Sequence, residues 1–247
     1  MKIYLQKALF LFFFFGFYSG LRAESGKEIV RQMYERYHTK WYHSLQYTQK
    51  TEYFKKGKFD GTQIWYLKLI FPDICRTDYI DPKRRNTDII TNDTLWEFRK
   101  ELVRNIIPGA GDPLFLNGGL YFKTLDQDYT EFQSMGIDLE KACSIKSHGR
   151  TIYVIGSDSA GQAVNQLWVD AQDMYITKAV FYLGKSKYEQ NFENQVKVGG
   201  GWSETKSSLY VDGELTDVQT YSNLRFDDLQ LSGEFDPRRF LDTRKEN

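Results

Sequence analysis

Histidine and cysteine are scarce, three and two in 247 residues. His38 and His43 stand five apart, so a helix would set them roughly 140° apart on different faces. Cys143 and His148 form a lone Cys-x4-His with no second pair, whereas structural zinc takes four ligands. No metal site and no cofactor is expected. Cys75 and Cys143 are too few for a disulfide framework. In an oxidising compartment they could pair; two buried free thiols are the other reading, and both stay open. Catalytic motifs are missing as well. In Gly156-Ser157-Asp158-Ser159-Ala160-Gly161 the serines fall at the wrong offsets for a nucleophile elbow, and the segment reads as a hairpin turn. Asp126 and Asp128 lack the rest of a calcium loop. Gly199-Gly200-Gly201 opens no helix, so it is no phosphate cradle. No carboxylate pair stands out from solvated strand faces. The chain reads as a binding protein, not an enzyme.

Charge of one sign is also lacking, with 33 basic and 33 acidic residues. Nucleic acid is therefore not an expected partner. Only five prolines occur, and no low-complexity tract or linker marks a domain boundary.

The N-terminus carries an export pattern. Lys2 and Lys7 give a positive start, and Ala8 to Tyr18 is an apolar run with Phe12 to Phe15 at its centre. Leu21-Arg22-Ala23 leaves a small residue at the expected cleavage point. The run spans about 11 residues, short of the roughly 20 that a spanning helix needs. Residues 1–23 are read as a cleaved signal peptide with no lipidated cysteine after it. Residues 24–247 are read as a single soluble domain working in the periplasm, its charge −3 once Lys2, Lys7 and Arg22 are gone.

Ser25-Gly26-Lys27-Glu28 has the capping-box spacing. Val30, Met33, Tyr34, Tyr37 and Trp41 follow at helical intervals, which predicts a helix over about 26–42. The period then changes to two. Leu45, Tyr47, Gln49, Thr51 and Tyr53 alternate with polar neighbours, and Lys56-Gly57-Lys58 turns the chain. Gln63, Trp65, Leu67, Leu69 and Phe71 share one face of the next strand. Further strands are expected at Ile74–Ile80, Thr87–Thr91 and Thr94–Val103. A loop at Pro108–Pro113 leads to short helices within Leu114–Met135 and a last helical turn over Gly136–Ala142. Strands resume near 143–147, 151–156, 163–170, 174–183, 187–197 and 202–211, then as a pair at 214–221 and 224–231. A sheet this wide must curl, split or close. The expected fold is mainly β within the α+β class: a curled antiparallel sheet, or incomplete β-barrel, with helices covering its concave face.

What stands out chemically is apolar and aromatic surface at strand positions. A concave apolar site with few polar groups suits a lipid or acyl ligand, since burying acyl chain gains about 0.8 kcal/mol per CH₂. Tyr47, Trp65, Leu67, Leu69, Phe71, Trp96 and Trp168 are the candidate lining. Ordinary core is the competing reading of each.

Several segments resemble one family. Leu45-x-Tyr47-x-Gln49-Lys50 is similar to the first strand of LolA-like proteins, periplasmic carriers of outer-membrane lipoproteins. Trp65, then Pro72, then Ile74-x-Arg76-x-Asp78-Tyr79 resemble their second and third strands. Pro82 and Ile89-Ile90-x-Asn92-Asp93-x-Leu95-Trp96 resemble the next hairpin, with Asn92-Asp93 where that family has aspartate-glycine. Gly136-Ile137-Asp138-Leu139, Gly149-Arg150-x-Ile152-Tyr153-Val154-Ile155-Gly156, Gln166-x-Trp168-Val169-Asp170, Gly200-Gly201-Trp202 and Phe235-Asp236-Pro237 look closer to a bacteroidete-type branch. The resemblance implies an incomplete barrel whose helix-covered cavity binds lipoprotein acyl chains. It implies an inner-membrane release complex or an outer-membrane acceptor as partner. Where the well-studied carriers place a lid-holding arginine before the strand-ending proline, this chain has Phe71. The alternative function is a non-carrier envelope interaction or sensor module of the same fold.

Overall fold

A computed structural model describes residues 24–81, 84–100 and 102–239; Met1–Ala23 and the charged tail lie outside them. The chain opens with α1 (Gly26–Tyr37) and six strands: β1 (Ser44–Lys55), β2 (Lys58–Ile70), β3 (Ile74–Asp81), β4 (Arg84–Thr91), β5 (Thr94–Arg99) and β6 (Leu102–Pro108). A 3-10 turn (Gly119–Phe122) and α2 (Leu125–Ser134) follow. Then come β7 (Ala142–Ser147), β8 (Arg150–Ile155), β9 (Gln166–Asp170), β10 (Ile176–Leu183), β11 (Ser186–Glu193), β12 (Val196–Val198), β13 (Gly201–Ser203), β14 (Lys206–Val211) and β15 (Glu214–Phe226).

Thirteen strands form one antiparallel sheet in the order β6-β5-β4-β3-β2-β1-β15-β14-β11-β10-β9-β8-β7, and β12–β13 form a separate hairpin. The edges β6 and β7 do not meet, so the sheet curls without closing. The expected class holds: mainly β, with helices laid on one face.

Local details differ from the sequence reading. The strand expected over Thr94–Val103 is two strands, because the chain reverses after Lys100, at φ 54. The pair expected at 214–221 and 224–231 is the single strand β15. Asn223 takes φ 56, and the register shift opposite Gln46 and Thr48 absorbs the irregularity as a bulge rather than a turn. The strands expected near 187–197 and 202–211 each break in two, which frees β12–β13 as a flap. No helix forms over Gly136–Ala142: Gly136, at φ 72, ends the α2 region.

α1 also stops early, at Tyr37, before Thr39 at φ 77. Ser25 Oγ accepts from Glu28 N–H at 3.3 Å. The Glu28 carboxylate turns to Arg31 instead of reaching back, so that capping box is half made. The complete box is at α2, where Thr124 and Gln127 cap each other. Ile29, Val30, Met33 and Tyr37 bury the inner stripe of α1, and Trp41 joins the core from the turn beyond it. The helix end is tied to the β9–β10 turn. Arg36 donates to the Gln172 carbonyl at 2.6 Å, and Tyr37 OH donates to the Asp173 carbonyl.

Two close approaches explain glycines. A Cβ at Gly200 would stand 2.2 Å from the Lys40 carbonyl oxygen. One at Gly118, at φ +122, would stand 2.2 Å from Trp41 Nε1. Gly118→Ala is therefore expected to destabilise the fold by about 1–3 kcal/mol. Gly161→Ala, where no atom lies within 4 Å of the added methyl, should be near neutral. Urea midpoints of the two variants check this.

Candidate ligand-binding face

Because side chains alternate across a strand, paired residues line up in columns on one face. On the covered face the first column is Phe226–Leu45–Leu69–Cys75–Ile90–Leu95–Ile107. The next is Tyr47–Leu67–Thr77–Asp88–Glu97–Asn105. The third is Tyr221–Gln49–Trp65–Tyr79–Asn86–Arg99. One face thus passes from apolar to polar along its strands.

The apolar end lies under the helices. Tyr47, Leu67, Leu69 and Phe71 are buried in one cluster with Ile29, Met33, Leu120, Tyr121 and Phe132. Phe71 stacks on Phe122 at 5.6 Å and 8°, and meets Tyr42 edge-on at 5.5 Å. At the place where the resembling family keeps a lid arginine, aromatic stacking joins sheet and cover. Tyr37, Trp41 and Tyr121 form a second ring cluster with centroids 4.5–5.3 Å apart. The flap closes over it, with Trp202 Nε1–H donating to Tyr37 OH at 2.9 Å and Tyr42 OH to the Trp202 carbonyl at 3.1 Å.

A cavity of about 20 Å³ is lined by Trp41, Gly118, Tyr121, Phe192, Trp202 and Glu204 among others, room for about one water. The buried Trp41 Nε1–H has no partner among the described residues. Burial pushes the Glu204 carboxyl up, opposed only by its own backbone N–H. Burial, then Glu204, likewise raises the hydroxyls of Tyr42 and Tyr221. In the cover itself, both oxygens of Asp128 are buried without a hydrogen-bond partner among the described residues. Burial carries that carboxyl up to about 8, with Lys123 pulling the other way. Both cysteines are free thiols, and burial lifts Cys75 to about 11.

Trp65 sits at the boundary, half-buried, in the third column. Trp96 and Trp168 do not join the others. Trp96 belongs to the column Gln46–Lys68–Arg76–Ile89–Trp96, on the opposite face. There it borders an outer groove of about 640 Å³ with Ile74, Leu231 and Phe235. Trp168 pairs with Val154 and Lys178, while Leu167 and Val169 take the core side. Its ring lies 4.4 Å from Lys178 Nζ. Membership of a face turns on hairpin register, where one residue of slip exchanges the faces, so aromatic identity alone misplaced them. Tyr42, Tyr121, Tyr221, Glu204 and Asp128 were not anticipated. Tyr221 was recoverable from alternation, whereas an acid in a polar segment carries no sign that it is buried.

Among the described residues no group of acids, histidines and cysteines could hold a metal ion, and no helix is long and apolar enough to cross a membrane.

A curled, unclosed antiparallel sheet with a helical cover defines the fold. Solved structures with this fold include a DUF1329 family protein from Desulfovibrio piger, with TM-score 0.59 and 16% identity over 85% of this chain and 95% of that one. They also include a Vibrio parahaemolyticus domain described as an outer membrane lipoprotein-sorting protein, with TM-score 0.59 and 16% identity over 87% and 97%. A LolA superfamily protein from Nitrosomonas europaea matches with TM-score 0.55 and 15% identity over 83% and 95%. The fold is thus LolA-like. By sequence the chain matches no protein-family model and no curated protein.

Proposed function

We propose that residues 24–247 form one exported domain that binds the acyl chains of a lipoprotein, or of a related lipid, and carries them across the periplasm. The carrying observation is the apolar end of the concave face, Tyr47, Leu67, Leu69 and Phe71, lying beneath a cover joined to it by aromatic contacts. The likeness to the lipoprotein-sorting domain supports the reading. Trp65 stands at the mouth of this site; Trp96 and Trp168, on the other face, are left out of it. Because these side chains are buried against the cover, an acyl chain enters only as the cover lifts. The reading assigns binding and no catalysis. An inner-membrane release complex and an outer-membrane acceptor are the partners it calls for.

Pyrene-labelled palmitate tests it. The exported chain should take up the probe, and Phe71→Ala, which removes the Phe122 stack, should speed uptake several-fold. A disulfide engineered between positions 71 and 122 should abolish uptake until it is reduced. No uptake by any of these forms would sink the carrier reading. The close packing of the cover on Leu67, Leu69 and Phe71 favours a second reading, a non-carrier interaction module. That one predicts a stable protein partner on crosslinking and no uptake.

A further inference from the structure

We propose that the open half of the concave face is a second binding site, for a hydroxyl-rich glycan segment. Beyond the cover the face continues as the third column and its neighbour, where Gln63 pairs with Thr51 and Thr51 with Gln219. A groove of about 550 Å³ opens here at the end of the β2–β3 pairing, with Gln63, Trp65, Tyr79, Asp81 and Asn86 on this side and Thr62, Ile64 and Ile80 at its far rim, a size in the range of small-molecule sites.

Its side chains are held in place by one another. Gln63 Oε1 accepts from Tyr53 OH at 3.1 Å and from Trp65 Nε1–H at 3.2 Å. Its carbonyl is thereby fixed inward. The amide NH₂ of this exposed residue keeps both donors without a partner among the described residues. Asn86 Oδ1 accepts from Lys100 N–H at 3.4 Å, which leaves its NH₂ likewise unpaired among them. Tyr79 OH donates to Asp88 at 2.6 Å and so retains an acceptor lone pair. Arg99 pairs with Asp88 and with Glu97, and lies 5.4 Å from the Tyr79 ring centre. Arg99 is thus occupied by two carboxylates, and what the groove presents beside Asp81 is amides and hydroxyls at fixed positions.

Trp65 meets Tyr79 at 5.4 Å and 66°, an arrangement that leaves the two rings in different planes. An aromatic face is electron-rich and attracts the C–H face of a sugar ring, while planar amides satisfy its hydroxyls. An acyl chain fits badly here, since covering the Gln63 and Asn86 amides with hydrocarbon would leave their donors unmet. Carboxylates outnumber Arg99 around the groove, which disfavours an anionic occupant.

The test uses the exported chain with chitohexaose, maltohexaose and dodecyl maltoside below its micelle concentration, read by calorimetry. At least one saccharide-bearing probe should bind, with affinity falling at least tenfold in Trp65→Ala and in Gln63→Ala. The exposed Gln63 guards against misfolding as the cause. Trp96→Ala, on the opposite face, should bind as the parent does. Binding of a hexasaccharide marks a free glycan as the source. Binding of dodecyl maltoside alone, lost in both variants, marks a glycolipid headgroup. No binding by any probe, or binding indifferent to Trp65 and Gln63, overturns the proposal. Palmitate uptake reads the covered half and saccharide binding the open half, so either assignment fails without the other.

Discussion

Asp170→Ala should destabilise the fold by about 2–4 kcal/mol, since hydrogen bonds to a charged group are worth about 1.5–3 kcal/mol each and a buried carboxylate is removed from several of them. Asp170 is fully buried. Its carboxylate accepts from Arg150 Nε–H and from Arg150 Nη2–H, the latter at 2.8 Å. It also accepts from the backbone N–H groups of Gln172 and Asp173 at 2.9 and 2.8 Å. Those two N–H groups belong to the β9–β10 turn on which Arg36 and Tyr37 of α1 are tied. Losing the carboxylate thus frees the turn and loosens the helix, while Arg150, half-exposed, keeps its pair with Asp173. Burial alone would raise this carboxyl, but Arg150 and the turn N–H groups outweigh it and the net shift is downward. A lowered native pKa adds stability above the unfolded value, near 3.9, and that stability is lost as the pH falls through the native pKa. Urea unfolding at pH 7 measures the first effect; a loss below about 1 kcal/mol would refute the argument.

Asp128→Asn should do the reverse and stabilise, increasingly so toward alkaline pH. Native Asp128 holds its proton up to about 8, whereas the unfolded chain releases it near 4. Between those values the native state binds more protons, so its stability falls as the pH rises and levels off above about 8. The variant has no such slope. Its advantage should widen by up to about 1.4 kcal/mol per pH unit over that window, and by less where water reaches the carboxyl. Melting temperatures at pH 5, 6.5 and 8 should diverge steadily between the two proteins. A constant gap would mean that the carboxyl titrates normally. Taken by themselves, Asp170 and Asp128 place the stability maximum near pH 4, where the first has reached its full contribution and the second has not begun to lose its own.

Alternation made much of this molecule readable in advance. The odd-numbered positions from Leu45 to Tyr53 and from Gln63 to Phe71 do share one face, and the helical spacing from Val30 to Tyr37 does mark the buried stripe. Tertiary accounting was not readable. Trp41 kept the helical interval but sits past the helix end, since Thr39 breaks the backbone. Trp96 and Trp168 looked like lining because nothing local states which way a hairpin's register falls. Asn223 resembled a turn residue, yet a thirteen-residue strand carries it through as a bulge. Asp128 sits where acids favour a first helical turn, so its burial against the core leaves no trace in the local pattern.

The columns of the concave face also act as a ruler. Along a strand, same-face positions are about 7 Å apart, so three columns move the surroundings from hydrocarbon-like to water-like within roughly 14 Å. A molecule lying along the strands is therefore measured by where its own polarity changes. One whose greasy part is too long would push carbon against Gln49 and Gln63. One whose greasy part is too short would draw hydroxyls in beside Leu69. Selection by length, with no contact specific to any one chemical group, follows from the register of β1 and β2 alone.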